Sequence, residues 1–498
     1  MSARVRVEAL PTSLVDAFAG QPALASGLLG DTLELAGEFE RAANGVGSLS
    51  LDLRAPHGEV RASGRLEAEA FVLDEPAGVH VRLEPTDAWL ASQLAGRMPS
   101  GSSLRRADGL PRPFELGLHA DRIALPQGAA GFASVLASVA ARLDAQLPDL
   151  VFEQAGSAPL ELRDLHFGAV LAQQAGASSA QLSGKLGGDP AGDLAFDVHA
   201  LDALALLAEE GGPVRFRVAV HGAAHGVPVG LVDALAGQGG LLVEAIGARA
   251  DLTLESAGLS LTQGAFVVDL STTQGPAHLD GSMEGGLLRV TKPGGLVAHF
   301  GLGPLTSTRF VGRLVPMVCE LQKPAGSKSA SIAVDALSLP LDGDLSKLDG
   351  QLSLDLGEVS YAMLPGLKGL FATLAPPKLV KLPAFAVPIA KGVVRYDKLV
   401  LPIGGRDFSF RGSFSLVSGE LSLGTDIPLE MLGGKINSEL EKARGLIDGK
   451  TLVPVEIRGS WNKPSFAVGR GFLDDIVKKA LGNALEEGLE GLLKKKKP

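Results

Sequence analysis

Two histidines, His221 and His225 in the stretch HGAAHG, have the types and spacing best suited to chemistry. On a helix, histidines four residues apart point the same way and can hold a zinc ion between them. Here Gly222 and Gly226 surround the pair and strand-like sequence precedes it, so a turn carrying two solvated histidines is expected instead. Asp269, Asp280 and Glu284 lack the spacing of a calcium loop and read as polar faces of strands. Glycine supplies 64 of 498 residues, yet no phosphate loop, dinucleotide fingerprint or nucleophile elbow occurs. The Gly-Gly pairs beginning at Gly187, Gly239, Gly285 and Gly294 read as turns. A single cysteine, Cys319, cannot form an internal disulfide or a cysteine-rich metal site. Trp89 and Trp461 read as packing anchors. No catalytic residue, metal site or cofactor is expected, and the chain reads as a non-enzyme.

The elements around these residues are short and repetitive. Leu49, Leu51 and Leu53 alternate with polar neighbours, as do Phe114, Leu116 and Leu118; Leu194, Phe196 and Val198; Phe216, Val218 and Val220; Leu352, Leu354 and Leu356; and Val453, Val455 and Ile457. Period two gives a strand one dry and one wet face, which suits antiparallel sheet. Three- and four-residue spacing predicts helices at Asp87–Met98, Gly131–Leu147, Asp202–Glu210, Thr306–Val315, Glu358–Leu374 and Pro428–Ile447. The motifs DRIALP, DALSLP and DKLVLP, ending at Pro126, Pro340 and Pro402, read as strand ends, because proline cannot donate to a ladder. Aromatic residues make up only 5% of the chain, so a thin or open β structure lined by Leu, Val and Ala is favoured over a bulky sandwich core.

One stretch occurs twice. Pro11 to Gly30 and Pro228 to Gly247 align without a gap and share Pro, Leu-Val-Asp-Ala, Ala-Gly-Gln, Leu and Gly. In both, an apolar helical run stops at a glycine, Gly20 or Gly237, and a second short run leads into a strand. Gly78 and Pro99 align with Gly295 and Pro316 at the same offset. Because the second copy has a strand-helix-strand lead-in that the first lacks, Met1 is expected to lie within a longer repetitive protein. The division expected is a first repeat unit at 1–214, a second at 215–391, a strand-rich region at 392–468 and an amphipathic helix with a lysine tail at 469–498.

A net charge of −10 argues against nucleic acid as a partner. No apolar run is long enough for a transmembrane helix, and MSARVR does not open a signal peptide.

From Gly392 the glycine-punctuated strands, the apolar insert and a closing strand with Pro454, Val455, Ile457, Gly459 and Pro464 resemble the C-terminal region of AsmA-like proteins. The resemblance is clearest over 392–468. It implies an elongated, curved antiparallel sheet forming an apolar groove, as in TamB-like and chorein-type bridges that carry phospholipid acyl chains. Under it, Leu352, Leu354, Leu356, Phe414, Leu416, Val453, Val455 and Ile457 are the expected groove lining. It further implies a lipid-transport role in the bacterial cell envelope, in the periplasm, in support of outer-membrane assembly or lipid homeostasis. Periodicity alone leaves a sandwich or solenoid equally open, and with it a structural or adhesive role without lipid cargo.

The tail carries an apolar helical stripe followed by lysines. Phe472, Leu473, Ile476 and Leu492, with Lys494, Lys495, Lys496 and Lys497, are candidates for contact with an anionic membrane surface or a membrane-anchored partner. A helix capping the last sheet edge fits the same stripe. Oligomeric state has no signature.

Overall fold

Period-two alternation becomes antiparallel sheet nearly throughout. The computed structural model describes residues 2–19, 24–41, 46–66, 70–73, 79–83, 102–107, 114–124, 139–147, 149–154, 159–171, 178–187, 191–200, 217–260, 262–324, 326–363, 370–371, 379–433, 449–469, 471–472 and 478. Among them strands account for 66% and helices for 12%, so the chain is mainly β with short helical inserts. Two compact units divide it, Met1–Gly286 and Leu287–Pro498.

The first unit contains β1 (Ser2–Pro11), β2 (Thr32–Arg41), β3 (Gly47–Ala55), β4 (Gly58–Leu66), β5 (Ala70–Leu73), β6 (Val79–Leu83), β7 (Ser102–Arg106), β8 (Phe114–Ala124) and β9 (Val139–Gln146). It continues with β10 (Leu150–Gln154), β11 (Leu160–Leu171), β12 (Ser178–Leu186), β13 (Gly192–Ala200), β14 (Val218–Pro228), β15 (Arg249–Leu259), β16 (Gln263–Thr272) and β17 (Gly275–Glu284). One antiparallel series runs β1-β2-β3-β4-β6-β8-β9-β11-β12-β13-β14-β15-β16-β17. β5 lies beside β6, bridging the remaining lengths of β4 and β8.

At β11 the sheet forks. Its first residues, Leu160 to Leu162, pair with β10, which pairs in turn with β7, whereas His166 to Leu171 pair with β9. Asp164 sits at the fork with φ +50°, its amide donating to Asp149 Oδ1 at 3.1 Å and its carboxylate accepting from Lys185 at 2.7 Å. The lysine's hydrogen bond and charge hold that carboxyl below the ordinary range. Phe152, Leu160 and Leu186 pack at the fork with Leu194, Val227 and Leu231 against them.

The second unit contains β18 (Leu287–Val290), β19 (Leu296–Phe300), β20 (Val318–Gln322), β21 (Ala330–Pro340), β22 (Asp349–Asp355), β23 (Gly357–Met363) and β24 (Val380–Leu382). After these come β25 (Phe385–Ala390), β26 (Val393–Ile403), β27 (Arg406–Ser415), β28 (Glu420–Pro428), β29 (Leu452–Ser460) and β30 (Ser465–Val468). Its pairings repeat those of the first unit. β18 and β19 both pair β21 as β5 and β6 both pair β8, and β20-β23-β24 repeats β7-β10-β11. The series β21-β22-β25-β26-β27-β28-β29-β30 then repeats the order from β8 to β16. By this pattern the blocks start at β1, β14 and β28, so the third begins at Glu420, whereas the sequence division placed a start at 392.

The duplicated stretch is the hairpin insert that opens each block. Strand β1 ends at Pro11 and leads to helices Thr12–Ala19 and Leu24–Leu29; β14 ends at Pro228 and leads to Val229–Leu235 and Leu241–Ile246. The residue after each proline donates back across the insert's base: Thr12 N to Asp31 O at 3.0 Å, Val229 N to Ala248 O at 2.9 Å, and, in a third copy, Leu429 N to Thr451 O at 3.0 Å. Within the inserts the shared aspartate is buried and caps the second helix. Asp16 accepts from Ser26 N and Oγ at 3.3 and 2.8 Å; Asp233 accepts from Gly240 N and Leu242 N at 2.5 and 2.6 Å. Gly247, at φ +98°, returns the chain to β15, and a Cβ there would stand 2.1 Å from Thr273 Oγ1.

The expected helix at Thr306–Val315 is present as Pro304–Thr306, Ser307–Val311 in π geometry and Gly312–Leu314. Two expected helices are instead strands where described: 139–146 is β9 and 357–363 is β23. Leu143 lies between Leu118 and Ala169 on the flanking strands, and such cross-strand partners outweigh local helix spacing. Of Pro428–Ile447, only Leu429–Met431 forms a 3-10 turn before 434–447, which lie outside the described residues, as do the helices expected at 87–98 and 202–210. Strand β21 ends at Pro340 as expected, but β26 runs past Pro402 to Ile403. Pro402 pairs only with Asp407 of β27, so its missing N–H costs no ladder bond on the other side.

Asp233→Ala leaves two part-buried amides without their acceptor, and the cost expected is about 1–3 kcal/mol. Thermal unfolding together with faster hydrogen exchange at Gly240 and Leu242 is the measurement; unchanged exchange would mean that the carboxylate does not hold the insert.

Candidate functional site

In the first unit the dry face of β12 to β17 forms rows running across six strands. One row is Leu182, Phe196, Gly222, Leu254, Val268 and Leu279, each directly opposite the next. A parallel row runs from Leu194 through Ala224, Leu252 and Leu270 to Ala277. Another runs from Val198 through Val220 and Ser256 to Phe266. Gly222 is required where it stands, because a Cβ there would lie 2.1 Å from Cδ1 of Phe196, whose ring covers the glycine. The leucines, valines and phenylalanines of these rows are half-buried, and Leu182 is 36% exposed. The branch at β10 and Leu231 of the insert abut one end of the face, at Leu194.

The opposite face is charged. His221 faces Glu255 at 3.6 Å, His225 faces Asp251 at 3.9 Å and His278 pairs with Asp269 at 2.6 Å, all with exposed side chains. In the first block, Arg4 pairs with Glu38 at 2.9 Å on the same face. Exposed pairs of this kind add little stability; they mark the wet side. His221 and His225 thus lie within β14 and not in the expected turn. Four residues of strand put them about 13 Å apart, each toward a different carboxylate. No group of three metal-ligating side chains occurs among the described residues.

The second unit treats its dry face differently. All ten of the largest fully buried side chains among the described residues lie there, including Met317, Leu321, Leu401, Phe410 and Leu432. The helical segment from Pro304 contributes Val311 and Leu314 to this interior, with Phe310 edge-on to Phe300 at 5.4 Å. Ser307 Oγ accepts from Leu321 N at 2.8 Å, fastening the segment to β20. Tyr396 donates its hydroxyl to Leu314 O and Tyr361 donates to Pro402 O, the latter at 2.6 Å. Burial pushes both phenols well above their ordinary pKa, so both remain donors.

The groove lining expected from sequence falls in this closed interior. Leu352 and Leu354 on β22, the following Leu356, Phe414 on β27, and Val453, Val455 and Ile457 on β29 are all at most 6% exposed; Leu416 is half-buried. Val453 faces Ile427, and Ile457 faces Leu423, across β28 and β29. These buried positions do not line an open surface; on the neighbouring β26, Pro402 is bonded to Tyr361 of β23 and Tyr396 to Leu314 of the helical segment. Of the tail candidates, Phe472 is half-buried with its amide donating to Gly469 O at 3.3 Å. Leu473, Ile476, Leu492 and Lys494, Lys495, Lys496 and Lys497 lie outside the described residues.

Sequence alternation had marked Phe196 and Val198 as strand residues without singling them out. No local sequence signal pairs Gly222 with Phe196 or Ala224 with Leu194, because that register is set across a long connection. No family model, curated protein or solved structure matches the chain. No helix among the described residues is long and apolar enough to cross a membrane.

Leu354→Ala is expected to destabilise the second unit by about 2–5 kcal/mol, as for a cavity in a closed core. The part-buried Leu254→Ala should cost less, about 1–2 kcal/mol. Urea unfolding of both variants tests the contrast, and equal losses would contradict it.

Proposed function

We propose that the chain is a non-enzymatic lipid-binding and lipid-transport protein of the AsmA-like kind, holding acyl chains against the dry face of β12 to β17. The observation carrying this reading is the set of apolar rows, one across six strands and its neighbours across five and four, that stay only part-buried while the reverse face is charged. Apolar surface left in water costs roughly 25 cal/mol per Å², so the part of these rows that remains accessible favours a ligand or partner. Five inter-strand steps of about 4.8 Å give a run of roughly 24 Å. One leaflet of bilayer hydrocarbon is about 15 Å deep, so a single extended acyl chain fits along the row. Phospholipid is the cargo that this face suits best. The resemblance over 392–468 supports a bacterial envelope setting, in the periplasm, with a role in outer-membrane assembly or lipid homeostasis. The tail from Phe472 through Lys497 would then rest on an anionic membrane or a membrane-anchored partner.

The second reading, a structural or adhesive β-rich envelope protein without cargo, is favoured by the filled interior of the second unit. The two differ in what the first unit carries. Native mass spectrometry of protein prepared without detergent should find bound phospholipid. Leu182→Asp, at the exposed end of the row, should lower that occupancy by about 10-fold, equivalent to 1.4 kcal/mol, while leaving the unfolding midpoint nearly unchanged. Repeated preparations free of lipid would favour the structural reading.

A further inference from the structure

The strands of the second unit alternate in direction, so every second connection falls at the same end of the sheet. At that end lie residues 341–348 between β21 and β22, 391–392 between β25 and β26, 416–419 between β27 and β28, and 461–464 between β29 and β30. Consecutive turns are two strands apart, about 10 Å. Leu341 is 54% exposed, Val417 58% and Trp461 41%, and exposed Lys391 stands between the first two. Of the five large apolar side chains that are exposed among the described residues of the second unit, these are three.

The turns are tied to one another. Gly392 N donates to Leu348 O and Leu416 N to Gly392 O, both at 2.8 Å, and Trp461 N donates to Gly419 O at 3.0 Å. A Cβ on Gly392 would stand 2.3 Å from Leu345 O and 3.0 Å from Cγ2 of Val417, and one on Gly419 would stand 3.1 Å from Cδ1 of Trp461. Glycine thus lets neighbouring turns close up and leaves the apolar side chains exposed on firmly tied backbone. Lys391 is the costly member of the row. Its φ of +51°, followed by +70° at Gly392, belongs to a tight hairpin that favours Asn or Gly in the first position. At the opposite end the tight turn between β26 and β27 is Gly404-Gly405. A lysine in place of glycine costs stability and sets a long cation at the tip.

From this we propose that this end of the second unit docks on a phospholipid membrane surface, with Leu341, Val417 and Trp461 entering the interfacial layer and Lys391 and Lys463 reaching lipid phosphates. A row of convex tips about 30 Å long suits a deformable apolar phase, whereas a stable protein partner needs a complementary surface of about 800 Å². Tryptophan, with an apolar ring and one N–H, concentrates at headgroup level, and lysine buries its stem while the charge stays wet. Asp342 and Asp344 are engaged by Lys347 at 2.7 and 3.3 Å, and Asp349 accepts from Lys391 N at 2.9 Å. Glu420, also exposed at this end, opposes a strongly anionic surface, so apolar insertion supplies the affinity and a neutral surface suffices.

The test uses the full chain carrying Trp89→Phe, which leaves Trp461 as its one tryptophan, and vesicles of phosphatidylcholine. Neutral vesicles exclude capture by the lysine tail, which requires anionic lipid. Trp461 emission should move to shorter wavelength and be quenched by phosphatidylcholine brominated near the headgroup end of its chains. Val417→Asp should weaken vesicle binding about 10-fold and leave the unfolding midpoint nearly unchanged, because the side chain it replaces is exposed. Leu341→Asp is the second variant should Val417→Asp disturb its turn. Lipid taken up by the first unit would appear in native mass spectrometry without moving Trp461 emission, so the cargo reading and this one can fail separately. Trp461 emission unmoved at saturating vesicles, or vesicle binding indifferent to both aspartates, would overturn the proposal.

Discussion

Every backbone N–H and C=O in a sheet needs a partner, and an antiparallel series that adds strands singly passes that need from each strand to the next. The first unit meets it for fourteen strands in a row, from β1 to β17 by way of β6, β8, β9 and β11. Two devices interrupt the succession. The fork at Asp164 sends part of β11 to a second layer, and the hairpin inserts after Pro11, Pro228 and Pro428 add helices without breaking the ladder beneath them.

The two units bury their dry faces to different extents. In the second unit β23 and the helical segment from Pro304 are hydrogen-bonded to β26 through Tyr361 and Tyr396, and the large side chains Met317, Leu321 and Phe410 are fully buried. In the first unit the corresponding strand β10 contributes Phe152 to a core cluster, and the rows on β12 to β17 beyond it stay part-buried. One pairing scheme thus gives a closed core in one unit and a part-buried apolar face in the other.

The strands were legible because alternation is local: Leu49 to Leu53 or Val453 to Ile457 declare their two faces within a few residues. The repeat was legible because its glycines and its aspartate are fixed by backbone geometry, as Gly247 and Asp233 illustrate. Helix spacing misled at 139–146 and 357–363, where partners far along the chain decide the conformation. Cover was not legible at all. Leu354 and Leu254 have the same kind of neighbours in sequence, yet one is fully buried and the other only part-buried. The meeting of Phe196 with Gly222 depends on register across a long connection, which leaves no local trace.

The aspartate shared by the first two inserts also bears on the order in which the protein assembles. Asp16 reaches Ser26, and Asp233 reaches Leu242, across ten and nine residues of chain. Closing loops this short takes little chain entropy compared with the distant pairings of β7 with β10 or β9 with β11. These two inserts can therefore organise while the chain emerges from the ribosome, giving the first two blocks an early nucleus each and limiting the time that long, unpaired strands stand exposed to one another.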